Sequence, residues 1–301
     1  MPKQRTSHIV QSLLVNVAIA VAKTFAAAVT GSGALLAEAI HSTADCSNQV
    51  LLLVGMRQAS KPPSREYPLG RGREVYFWSF LVALLLFSMG GMFSIYEGVH
   101  KFVVPEPVER FWVGLGILLF SICLEGGATI SNVREVNRRR KARSFFGYLK
   151  ATKDSDLIVV LGENSAAVVG LTLAMIALGT SYVTGDSRWD AAGSVAIGLV
   201  LVVVAIFLAI EIKSLLLGER ADEEIEQAVR SLVRPDGPIT EILSLITLQQ
   251  GPGEVVLATK VRIAGSLQGD DVARAINEFE QAVHDRCPEV RWLFVEPDIE
   301  A

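Results

Sequence analysis

With half of its 301 residues hydrophobic, 20% charged and a mean hydropathy of +0.40, the chain is too apolar for a soluble domain of its length. A net charge of −4, with no basic tract interleaved with aromatics, argues against nucleic acid as a partner. Cys46, Cys123 and Cys287 are odd in number and lack CxxC spacing, which excludes a disulfide framework and a zinc knuckle.

In chain order, the N-terminal MPKQRTSH resembles the basic start of a signal peptide. The apolar run behind it is too long for a cleaved signal, so it reads as a first membrane helix. A bilayer core about 30 Å thick takes roughly 20 apolar residues in a helix. Windows of that kind fall at about 9–30, 33–58, 76–100, 111–134, 156–180 and 189–213, the first two joined by a tight turn at GSG. Lys3, Arg5, Arg57, Lys61, Arg65, Arg71 and Arg73 would share one side of the membrane with Arg134, Arg138, Arg139, Arg140, Lys141, Arg143, Lys150 and Lys153. The opposite loops carry only Lys101, Arg110 and Arg188, so both termini are expected in the cytoplasm or its organellar equivalent.

From about residue 216 the composition becomes that of a soluble domain. ADEEIEQAVRSLV (221–233) and DDVARAINEFEQAVHDRC (270–287) have helical periodicity, while 239–250, 254–264 and 290–298 alternate as strands. The GPG at 251–253 is a hairpin signal. The expected architecture is an α-helical membrane protein. A six-transmembrane-helix bundle over 1–215 precedes a small cytoplasmic α+β domain over 216–301, of αββαβ, ferredoxin-like order.

An ionisable side chain at mid-membrane costs about 2.5–3.5 kcal/mol on insertion scales, so each one is a candidate functional group. Asn16, Lys23, His41, Asp45, Asn48, Glu125, Glu163 and Asn164 lie deep in the windows. His41 and Asp45, four residues apart, share a helix face and can grip one divalent ion. An imidazole and a carboxylate suit Zn²⁺, at about 2.0–2.2 Å per ligand. Glu163, beside Asn164, is the natural donor from a second helix. Other readings stay open: the His–Asp pair can fasten helices by a hydrogen bond, and Glu163 can relay protons or pair with Lys23. Asn16 and Asn48 fit inter-helix hydrogen bonds, and Gly90, Gly91, Gly126 and Gly127 fit close helix packing.

TGSGALLAEAIHSTADCSNQ (30–49), YPLGRGRE (67–74), WDAAGSVAIG (189–198), LLLGE (215–219) and FVEP (294–297) together resemble the cation diffusion facilitator family over nearly the whole chain. The resemblance implies a homodimer exchanging Zn²⁺ for protons by alternating access. It also implies a metal site built by two helix 2 ligands and two helix 5 ligands, each pair spaced by four. His41 and Asp45 match the first half. In the second, Glu163 has only Val159 four residues before it and Ala167 four after it, so the site reads as His41, Asp45 and Glu163, with Asn164 or water fourth. Hard oxygen donors would also accept Mn²⁺ or Fe²⁺.

Where the family often has loop histidines, this chain has Tyr67 and Arg71, and its tail has only His284. One intramembrane site, no metal cluster in the tail and a dimerising role for the tail are therefore expected, in the cell (inner) membrane. A missing ligand also leaves room for a non-transporting metal sensor or scaffold. An enzyme is not expected, since neither HExxH nor GxSxG occurs.

Overall fold

The computed structural model describes residues 2–140 and 142–300, without the side chains of 2–12, 15 and 151. Lys3, Arg5 and Lys141 of the orientation argument thus lie outside the described side chains. Two compact units are present. The first comprises Met1–Val54, Trp78–Leu149 and Asp156–Ile212, and the second Gly55–Phe77, Lys150–Ser155 and Lys213–Ala301.

The first unit is helical. Helices α1 (Pro2–Thr30) and α2 (Gly33–Ala59) are joined through Gly31, whose φ of 68° lets the chain leave α1 while its N–H still donates to Ala27 O at 2.9 Å. Helix α3 (Glu74–Leu85) runs through a π-helical stretch, Leu86–Met92, into α4 (Phe93–Val103). Then follow α5 (Phe111–Arg139), α6 (Phe145–Ala151), α7 (Ser155–Thr184) and α8 (Arg188–Leu217).

The long helices overrun the apolar windows at several ends because backbone hydrogen bonding continues where charged side chains begin. Helix α6 was not expected. Too short for a membrane window, it forms because Phe145, Tyr148 and Leu149 pack with Val136 of α5 and Leu161 of α7.

Glu74–Val103, Phe111–Arg139, Ser155–Thr184 and Arg188–Leu217 are long and apolar enough to cross a membrane. That is four of the six expected windows. Helix α2 misses the threshold because HSTADCSNQ interrupts its apolar surface, and the apolar stretch within the described part of α1 is Asn16–Thr30.

Close packing of α8 depends on glycine. A Cβ on Gly91 would come within 2.6 Å of Val202 Cγ2, and one on Gly98 within 2.6 Å of Val195 Cγ2. The same role expected of Gly126 and Gly127 is not found: no described atom lies within 4 Å of where their Cβ atoms would stand.

In the second unit, helix α9 (Glu223–Arg230), strands β1 (Ile239–Gly251) and β2 (Glu254–Ile263), helix α10 (Asp270–Arg286) and strand β3 (Val290–Pro297) follow the expected order. The three-stranded sheet has the order β1-β2-β3, with β1–β2 antiparallel and β2–β3 parallel. Ala275, Phe279 and Val283 form an i, i+4, i+8 stripe on α10 that packs on Val255, Leu257 and Val261 of β2, with Val229 of α9 in the same core. Opposite this core, Ile246 pairs with Ala258, and Ala258 with Phe294, in a row that leaves Ile246 and Phe294 exposed.

The segment between α2 and α3 joins this unit: Gln250 Nε2 donates to Leu69 O at 3.3 Å, and Gly72 sits so close to Gln250 that a Cβ would meet its carbonyl at 2.6 Å. Arg71 stacks over the Tyr67 ring at 4.0 Å, giving that loop a cation–π contact.

Candidate metal centre

Helix α2 aligns His41, Asp45 and Asn48 at i, i+4 and i+7, one stripe on one face. His41 is fully buried, and its Nδ1 lies 3.6 Å from Asp45 Oδ1, too far for a hydrogen bond. Among the described residues neither nitrogen of His41 has a hydrogen-bond partner, nor do Asp45 Oδ1 and Asn48 Oδ1. A buried polar atom left unpaired costs about 1–3 kcal/mol, so four in one stripe call for something that binds them. At 3.6 Å the hydrogen bond by which His41 and Asp45 would fasten together is not formed.

From α7, Glu163 is 6% exposed and reaches the same stripe: Asn48 Nδ2 donates to Glu163 Oε1 at 2.6 Å. Val159 and Ala167 are buried and apolar, so neither completes a four-residue ligand pair on α7.

Asn164 follows Glu163 on α7. It is half-buried, and its backbone carbonyl accepts from Thr129 Oγ1 of α5 at 3.1 Å. The amide that donates to Glu163 is that of Asn48, from the histidine's own helix. Among the described residues no three His, Cys, Asp or Glu side chains converge closely enough to hold an ion. The arrangement is two halves, His41 with Asp45 and Asn48 with Glu163.

Sequence reasoning passed over Glu38, although it stands three residues before His41 and so on the same face. It also offered Glu163 as the partner of Lys23. The structure pairs Lys23 Nζ with Glu38 Oε2 at 3.0 Å and Glu125 Oε1 at 2.7 Å, while Glu163 is met by Asn48.

The start of α2 is fixed from α8. Asp190, 2% exposed, accepts from Ser32 Oγ at 2.5 Å, Gly33 N at 2.6 Å and Ala34 N at 3.4 Å. It thus caps a helix other than its own, satisfying the free N–H groups where the helix dipole favours negative charge. Asp190→Ala is expected to cost about 2 kcal/mol by stranding these donors, read as a lower Tm of the detergent-solubilised protein. An unchanged Tm would remove Asp190 from this role.

A cation efflux transmembrane domain profile matches residues 9–217, more than half of the chain and every residue of the stripe. The chain belongs to the cation efflux family. Its fellow members are membrane transporters rather than enzymes.

This cation efflux protein is 32% identical over 238 residues to the mitochondrial proton-coupled zinc antiporter of Homo sapiens, covering 78% of this chain and 42% of that one. It is 26% identical over 240 residues to metal tolerance protein C4 of Arabidopsis thaliana, covering 79% and 52% respectively. Against magnetosome protein MamM of Magnetospirillum gryphiswaldense it is 26% identical over 123 residues, 37% of this chain and 39% of that protein. The alignments span about half, or less, of the length of these relatives.

Proposed function

We propose that this cation efflux protein exchanges Zn²⁺ for protons by alternating access, with His41, Asp45 and Glu163 as ligands and Asn48, in place of Asn164, as the fourth donor. The observation that carries the reading is the unpaired stripe: a fully buried imidazole with two free nitrogens, beside a carboxylate and an amide oxygen that are also free. Such a set is costly empty and well matched to a divalent ion.

Binding requires the imidazole neutral and both carboxylates ionised, so an arriving ion displaces protons from these groups. Protons arriving from the other side reverse the exchange. The likeness to a proton-coupled zinc antiporter supports zinc over Mn²⁺ and Fe²⁺.

The reading includes six membrane crossings, a transport domain over 1–215 and a ferredoxin-like tail over 216–301 that joins two copies through the exposed Ile246 and Phe294 row. It places both termini in the cytoplasm or its organellar counterpart, in the cell inner membrane or, as the relatives' names suggest, a mitochondrial one.

The deciding experiment is zinc uptake by proteoliposomes under an imposed pH gradient. Uptake that follows the gradient and stops when a protonophore collapses it is the expected result. Zinc binding without gradient-driven flux would replace transport by sensing or scaffolding.

A further inference from the structure

One turn from the metal stripe, Lys23, Glu38 and Glu125 bury two carboxylates around one ammonium. Lys23 and Glu38 are fully buried, and the Glu125 side chain is 12% exposed. Lys23 Nζ binds one oxygen of each, Glu38 Oε2 at 3.0 Å and Glu125 Oε1 at 2.7 Å. The second oxygens, Glu38 Oε1 and Glu125 Oε2, are buried without a hydrogen-bond partner.

Glu38 Oε1 lies against Gly170 of α7, in the space that any side chain at 170 would fill. Helix α7 therefore gives this carboxylate room but no donor. The charged and titratable groups around this carboxylate are Lys23 from α1, His41 and Asp45 from α2, and Glu125 from α5. On α7, Glu163 is two turns from Gly170, about 10 Å along the helix, and is held by Asn48.

One ammonium and two carboxylates carry a formal charge of −1, which is costly among apolar helices and which a single proton removes. We propose that Lys23, Glu38 and Glu125 form a proton-binding site separate from the metal ligands. The proton comes from water and forms one O–H bond, on a free oxygen of the carboxylate pair, where Glu125 is the more accessible. Uncharged, the triad no longer lends negative potential to α2 three residues before His41, so proton uptake weakens the hold on a divalent cation. Deprotonated, it restores that potential.

This coupling rests on the zinc–proton exchange proposed above, whereas the proton site itself can be tested without zinc. Glu38→Gln and Glu125→Gln each leave one ammonium and one carboxylate, a balanced pair that needs no proton. Tm values of both variants at or above wild type would show that the fold is kept. In acid-minus-alkaline infrared difference spectra of the full-length, zinc-free protein, a protonated-carboxyl component present in wild type is expected to vanish in both. In proteoliposomes, each variant is expected to move one proton fewer per zinc ion. A carboxyl component that persists in both variants, or an unchanged proton count, overturns the proposal. If the wild type shows no proton-linked zinc flux, the exchange reading fails and the infrared comparison alone decides the triad.

Discussion

Asp45→Ala is expected to reduce the initial rate of zinc uptake by at least about a hundredfold, because changes one shell away from a metal already cost about 10–100-fold in affinity or activity. Asp45 Oδ1 makes no hydrogen bond among the described residues, and its His41 neighbour stands 3.6 Å away. Removing it breaks no strong interaction, so the variant is expected to keep the wild-type Tm while losing zinc affinity in a calorimetric titration. That combination separates a ligand from a structural residue. Glu163→Gln offers the matching control on α7: Gln keeps an oxygen for the Asn48 bond but removes a charge that the ion needs. Uptake that persists undiminished in Asp45→Ala would remove the α2 stripe from the transport site.

Much of this site was legible because helical spacing is a physical fact of the sequence. His41 and Asp45 had to share a face once α2 was a helix, and the structure adds Asn48 to the same stripe at the next turn. What spacing could not supply was the partner across the gap. Asn164 was named for its adjacency to Glu163, whereas the hydrogen bond from Asn48 to Glu163 spans 115 residues of chain and only folding reveals it. The same limit hid Lys23's partners: Glu38 and Glu125 lie 15 and 102 residues away along the chain, and only folding shows that both reach the same ammonium.

The tail was read closely, since αββαβ periodicity and the GPG turn are local signals. The membrane count was harder because the polar residues that make α2 interesting also lower its apolarity below that of an ordinary span. Gly126 and Gly127 show the complementary error. Small residues permit close packing, but whether a helix takes up the offer depends on the neighbour, and open space lies beside this pair.

Lys23→Met is expected to be the most damaging single change to stability. It would leave Glu38, fully buried, and Glu125, nearly so, without the ammonium that both contact within 3.0 Å. Breaking a buried ion pair from one side costs about 3–5 kcal/mol, since a charge is left in a medium that cannot solvate it. For a chain of this size the loss corresponds to a fall in Tm on the order of 10 °C, measured on the detergent-solubilised protein. Replacing all three charges, as Lys23→Met, Glu38→Gln and Glu125→Gln together, removes the stranded carboxylates along with the ammonium. Stability is then expected to return to within about 1–2 kcal/mol of wild type, because a buried ion network contributes little net stability over neutral groups of similar volume. A triple variant as unstable as Lys23→Met would mean that packing around residue 23, rather than charge, holds α1, α2 and α5 together. A recovered triple variant would show that these charges are not needed for the fold, which leaves function as the reason that the chain keeps one cation and two anions buried beside its metal stripe.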